Sequence, residues 1–391
     1  MAEVVADIPM PVQIVIDDVG WWSGRNGSAD NEPYRTGIAR DHVPADYTAI
    51  ADLGRRLNMR PQAAMILSEW DTDKILRAIP TATRDGAAWD NSHRVGPWMD
   101  QAADIIRTNG DHLELTLHGI GHEYWGGNAP GQTPTRFTRA EWHDTAGNMR
   151  SRAEVLARLD AFARILDQHH LGTFPTSFVP CAFMHRFGSG LADILREHGI
   201  DFISTPFYSI VGLPQPRWRW FDYDGETMTV DRPHDRFDWH QIGPTPSGDL
   251  THPIVGMHWP HVLHVDPARN GETVDGWVHF LSAHGRSPRT MLARDTGEFR
   301  TQLAHHLCTA RTVRDHGIDL DYSGFDRLPR THLSRRLVVK VAADTPLSFT
   351  STDSNVDLVA RDQVDGRAVH TLRVDAHRDR NQARLSWSTS R

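Results

Sequence analysis

Val12-Gln13-Ile14-Val15-Ile16-Asp17-Asp18-Val19 is a short apolar run that ends in two adjacent carboxylates. A run of this length, rich in β-branched residues, reads as a buried strand over 12–16. Ionised groups beside a low-dielectric core need a partner, and a metal ion is the simplest one. Taken alone, an aspartate pair at a strand end reads equally well as a turn or a helix cap. The decision rests on what the rest of the chain brings to the same place.

The second informative stretch is Leu115-Thr116-Leu117-His118-Gly119-Ile120-Gly121-His122-Glu123. Two histidines four apart can share an ion through their imidazole nitrogens. In a chain with 24 histidines, about one or two such pairs arise by chance. Position gives this pair its weight, because His118 stands at the end of an apolar run predicted as a strand over 113–117. Further strands are predicted at 62–67, 175–179, 201–204 and 254–257. Helices are predicted at 45–58, 98–107, 139–170, 191–198, 273–283 and 296–315, with Gly-rich loops at 20–31 and 126–134. Such alternation predicts an α/β fold with a mainly parallel sheet, open or closed into a barrel. Sites in these folds gather where strand C-termini converge. Asp18, His118 and His122 then form a three-ligand set with an open position for water.

The order strand–Asp17-Asp18, His118-x-x-x-His122 after a strand, and Phe178-Val179-Pro180 after another resembles the polysaccharide deacetylase superfamily. The wording IDDVG, LHGIGHEY and FVP followed by LADILREHGIDFIS is similar to a divergent branch of it. The resemblance covers about residues 12–260. It implies an irregular (β/α)7-type barrel, one divalent ion (zinc first) on Asp18, His118 and His122, and Asp17 as the base. Two departures stand out. Val179 occupies the place where the family often has an arginine that orients the base. The late Leu-His-Asp motif is represented loosely by Gly256-Met257-His258-Trp259-Pro260-His261. His258 is the first candidate for the general acid, with His261 and His264 as competitors. Asp231, Asp235 and Asp238 are candidates to orient it.

The implied function is a metal-dependent hydrolase that cleaves the C–N bond of an N-acylated amine, such as an N-acetyl amino sugar, by metal-activated water. Trp21, Glu69, Tyr124, Trp125 and Trp259 are candidate substrate contacts, although aromatics near strand ends pack more often than they bind. Two rivals are a non-hydrolytic metal-binding relative and a metal-dependent glycosidase or lyase, for which Asp235 and Glu69 are the available carboxylates.

Composition narrows the partners. Formal charge is 42 − 50 = −8 with no basic block, which argues against a nucleic-acid partner. The longest apolar runs fall short of the 18 residues a membrane span needs. The beginning of the chain has no basic leader, and the two cysteines, Cys181 and Cys308, form no framework; both point to a cytoplasmic protein acting on a small-molecule or oligosaccharide substrate. There is no G-x-S-x-G elbow and no phosphate-binding loop. Residues 1–330 are expected to form the catalytic barrel, and 331–391 a small β-rich appendage on it.

Overall fold

The strand Met10–Val19 is buried at all ten positions, as its unbroken apolar run predicts for a strand covered on both faces. It belongs to a computed structural model that describes residues 4–25, 35–126, 136–233, 235–329, 332–377 and 380–389. The predicted loops at 20–31 and 126–134 lie partly outside the described residues. By contacts the chain divides into two units, one of Ile14–Gly248 with Ile254–Val278, the other of Met1–Gln13, Asp249–Pro253 and His279–Arg391.

The first unit is a mixed α/β fold around a curled, half-barrel sheet. Its strands run in the order Ile254–His258, Met10–Val19, Gln62–Ile66, Glu114–Gly119, Ser177–Phe178, Phe202–Thr205, Thr227–Asp231 and Phe221–Asp224. From Met10–Val19 to Thr227–Asp231 every neighbouring pair is parallel. Helices Pro44–Leu57, Pro97–Thr108, Arg152–Gln168 and Leu191–Glu197 make the crossovers. The predicted parallel α/β sheet is therefore present; among the described residues the strands form an open path of eight.

Three predictions need correction. The helix expected over 139–170 is confined to Arg152–Gln168, because Ser151 and Glu154 cap each other's backbone in a reciprocal box that stops the helix extending backwards. The hairpin Phe221–Asp224 and Thr227–Asp231 went unread, although a glycine opening its two-residue turn Gly225-Glu226 is a hairpin signal and Gly225 takes a φ of 62°. The helix expected over 296–315 ends at Cys308, and Ala310–Arg314 is a strand.

In the second unit the C-terminal strands are not a single layer. Val5–Asp7, Arg336–Ala343, Arg367–Ala376 and Ser354–Val364 form one four-stranded sheet, and Ala310–Arg314, Gly317–Asp321, Gln382–Thr389 and Leu347–Ser351 another. Ile8, Ile318, Leu320, Val339, Val341, Leu372, Val374, Leu385 and Trp387 share one core cluster. The sixty-residue tail is thus completed by strands from both ends of the sequence, which gives it enough apolar area for its own interior. No helix of the described residues is long and apolar enough to cross a membrane.

Candidate metal centre

Beside Gln62–Ile66, Ile16 faces Ala63 and Val19 faces Met65, so Met10–Val19 carries one extra residue over Asp17-Asp18. Asp18 takes a φ of 63°, a region that non-glycine residues avoid. A regular strand sends adjacent side chains to opposite faces. The bulge re-aims them, and both carboxylates are buried where His118 and His258 act on each of them. A second irregularity lies one strand along: Met65 faces Leu117 and Ile66 faces Gly119, which leaves His118 as the extra residue. His122, Ala182 and Phe183 also take positive φ. Backbone strain of this kind, on the order of 1–3 kcal/mol per residue, persists where the surroundings over-determine it and gathers at functional sites.

His118 Nε2 lies 3.3 Å and His122 Nε2 3.8 Å from the same atom, Asp18 Oδ1. Tetrahedral ligands with bonds of 2.0–2.2 Å sit about 3.3–3.6 Å apart, so the spacing is close to that of a coordination shell. His118 Nδ1 donates to Val179 O at 2.6 Å. A carbonyl only accepts, so in the neutral ring Nε2 carries the lone pair and turns it towards a carboxylate. Two acceptors at that distance call for a cation or a proton between them. His122 Nε2 accepts from Ala182 N at 3.3 Å, so its lone pair is on the same atom. Burial lowers the His122 pKa to about 4, keeping it in the neutral form that ligates metals. Burial works to raise Asp18, but a hydrogen bond from His118 when its Nε2 carries a proton instead, together with the positive charge the surrounding imidazoles can bear, holds it well below the ordinary carboxylate range.

His118, His122 and Cys181 offer ligand atoms that all lie within 4.8 Å of one another, and this buried group could bind a metal ion. Cys181 Sγ donates to His118 O at 3.2 Å, and burial pushes the thiol well above its ordinary pKa. In that state it braces the histidine segment from below. The donor set of one carboxylate, two neutral imidazoles and a neighbouring sulfur suits zinc or a similar divalent ion.

The groups around this cluster are tied to one another. Arg232 Nη1 grips Asp17 at 3.0 and 2.8 Å, and its Nη2 donates to Asp235 Oδ1 at 2.8 Å. Asp235 Oδ2 bonds His258 Nδ1 at 2.5 Å, and His258 Nε2 returns to Asp18 Oδ2 at 3.7 Å. Burial raises the Asp17 carboxyl above its usual pKa, opposed by Arg232, His118 and His258. Burial works to lower His258, yet its bond to Asp235 and the charges of Asp235, Asp18 and Asp17 push it up to about 9. The turn between the two histidines hangs on Glu141, whose carboxylate accepts from the backbone of Ile120 at 2.8 Å and Gly121 at 2.5 Å.

Gly256 makes room for Arg232, since a Cβ there would stand 2.2 Å from Nη2 and 2.7 Å from Asp235 Oδ1. Gly256→Ala is expected to destabilise the fold by about 1–3 kcal/mol through overpacking. Urea denaturation checks this, and an unchanged midpoint would show that the guanidinium has slack.

The other expected site residues divide. Trp21 is fully buried with its ring 6.1 Å from that of His122. The remaining expected substrate contacts have partners within the protein. Glu69 is fully buried and accepts from Trp22 N, Ser23 N and Arg35; it ties loops together. Trp125 is buried and donates to Glu123, and Trp259 is buried and stacked on His42 at 3.9 Å. Tyr124 donates to Glu154 and carries Arg150 on its ring face at 3.4 Å. Of the competing acids, His261 points Nε2 to the Asp238 carbonyl and His264 lies among Asp266 and Asn270. Asp231 accepts from Phe207 N, which leaves Asp235 as the carboxylate on His258. Arg232 and Glu141 were missed; Arg232 directly follows the strand Thr227–Asp231. A cavity of about 400 Å³ lined by Arg60, Glu114 and Thr176 lies at the opposite, N-terminal ends of the strands, and no site residue lines it.

No protein-family model matches the chain, and no curated protein matches it. Among solved structures, a Mycobacterium smegmatis protein described as a "putative polysaccharide deacetylase" is similar with a TM-score of 0.36 and 12% identity, over 64% of this chain and 74% of that one. A likeness at this level carries no argument about chemistry, which rests on the geometry above.

Proposed function

We propose that the chain is a metal-dependent hydrolase that cleaves the C–N amide bond of an N-acylated amine, an N-acetyl amino sugar by preference. The observation that carries this reading is the convergence of His118 and His122 Nε2 on one oxygen of Asp18, beside a carboxylate held by Arg232. Asp18, His118 and His122 would hold the ion, zinc first. When bound, it supplies a Lewis acid that lowers the pKa of water and polarises a carbonyl. Asp17 takes a proton from the attacking water. Arg232 fixes the direction of that carboxylate. His258, protonated and oriented by Asp235, gives its proton to the departing nitrogen. Val179 in place of the family's arginine loses its force as an objection, because Arg232 reaches Asp17 from another strand end.

The glycosidase or lyase reading is weakened by the same contacts, since Glu69 is buried among donors and Asp235 is engaged by Arg232 and His258. A cytoplasmic location and a small-molecule or oligosaccharide substrate, with neither nucleic acid nor membrane as partner, belong to the same proposal.

The test is metal content together with turnover on a panel of N-acyl amines and esters. Wild-type protein is expected to hold about one zinc per chain and lose activity to a chelator. His122→Ala and Asp18→Asn should each lose the ion while keeping the far-ultraviolet dichroism of the parent. Metal retained with no turnover on any substrate would favour a non-hydrolytic binder; full activity in His122→Ala would discard the mechanism.

A further inference from the structure

We propose that Glu141 is a positioning residue for the metal centre: its carboxylate pre-forms the turn that aims His118 and His122 at one point, and so sets the affinity of the site for its ion. This rests on the metal-dependent reading above.

The four-residue spacing of the two histidines does not by itself bring their rings together, because the chain between them is not helical. Gly119 ends the strand Glu114–Gly119, and residues 120–123 belong to no regular element. His122 holds a φ of 55°, a left-handed conformation that a non-glycine residue keeps only where its surroundings enforce it. Its neighbours supply the enforcement. The backbone N–H groups of Ile120, Gly121 and Glu123 all donate to the Glu141 carboxylate, at 2.8, 2.5 and 3.3 Å. The carbonyl of Ile120 accepts from Leu67 N at 3.0 Å and Ser68 N at 2.6 Å. Trp142, the next residue after Glu141, donates its indole N–H to His118 O at 2.9 Å. One dipeptide thus grips the chain at His118 and on both sides of His122.

Glu141 is wholly buried, and burying a carboxylate is costly unless donors replace its water. The three backbone N–H groups do so, as in an anion held by a nest of main-chain donors. Close approach is built in, since a Cβ at Gly119 would stand 2.6 Å from Cys181 Sγ and 2.7 Å from Glu141 Oε2. A carboxylate that only braced the fold could grip the chain anywhere; this one grips it between and beside two ligands. Glu141 acts through the backbone and not as a ligand. Ligands fixed in advance lose less freedom when the ion arrives, and partners that orient them are worth about 10–100-fold in metal affinity.

The test measures zinc affinity by competition with a chromogenic chelator, and the visible absorption of cobalt-loaded protein, for wild type, Glu141→Gln and Glu141→Asp. Far-ultraviolet dichroism and urea denaturation fix conditions under which each variant is folded. Glu141→Gln keeps the size of the side chain but turns an NH2 group towards N–H donors, so it should weaken zinc binding about 10–100-fold and alter the cobalt absorption. Glu141→Asp keeps the charge and both acceptor oxygens at a shorter reach, and should fall between Glu141→Gln and wild type. Wild-type zinc affinity and cobalt absorption in the folded variants, with only the urea midpoint lowered, would reduce Glu141 to a brace of the fold and overturn the proposal. A wild-type protein that binds neither ion would overturn it together with the metal-dependent reading. If zinc affinity depends on Glu141 while no N-acyl amine is turned over, the hydrolase reading fails and the positioning role stands.

Discussion

Arg232→Met should lower the unfolding free energy by about 3–5 kcal/mol, the usual cost of removing one partner from a buried ion pair. The guanidinium is wholly buried and bonds two carboxylates that are themselves almost wholly buried. Methionine fills most of the space and keeps contact with the Phe183 ring, so the loss reports charge and not volume. Arg232→Lys should rescue little, because one ammonium cannot span Asp17 and Asp235 as the planar fork does. The decisive measurement is a double-mutant cycle in metal-free protein. Adding Asp17→Asn to Arg232→Met removes one of the stranded charges, so the double variant should be more stable than the sum of the two single losses by 2 kcal/mol or more, on the order of couplings seen within one ionic network. Strict additivity, or a single-variant loss below about 1 kcal/mol, would mean that the relay from Asp17 to His258 is not the tie that holds this end of the sheet.

What could be read in advance follows from what is local. The run from Val12 to Asp18 announced both a strand and its unusual ending, because apolar periodicity and the cost of a charge beside it are properties of neighbouring residues. The pair His118 and His122 was readable for the same reason. Arg232 was not, since a lone arginine after a strand looks like any solvated loop cation. The strand itself was hidden within a hairpin whose Gly225-Glu226 turn was passed over. Glu141 was placed inside a helix that in fact begins at Arg152, which concealed a carboxylate cradling backbone N–H groups. The two bulges and the left-handed Asp18 and His122 leave no glycine to mark them. Trp125 and Trp259 stand near the histidines in sequence, and only the structure shows that both are buried, one donating to Glu123 and the other stacked on His42.

Asp17→Asn is expected to reduce kcat/KM on the best N-acyl substrate by about 10²–10⁴-fold, the range for loss of a positioned general base. Zinc content should stay at the wild-type level, because Asp18 and not Asp17 faces the two imidazoles. The contrast with Asp18→Asn carries the argument, for that neighbour should lose metal and turnover together. Two adjacent carboxylates of identical chemistry would then differ in kind, one a ligand and one a base. The division traces to the extra residue in the strand, which turns Asp18 towards the histidines while Asp17 stays on Arg232. The amide of asparagine still accepts from Arg232 but cannot take a proton from water at neutral pH, so the substitution isolates proton transfer from positioning. Stability must be followed alongside, since the variant weakens the ion pair, and rates are compared only where both proteins are folded. An Asp17→Asn protein that hydrolyses within threefold of wild type, or one that sheds its zinc, would assign the base elsewhere and reopen the roles of both aspartates.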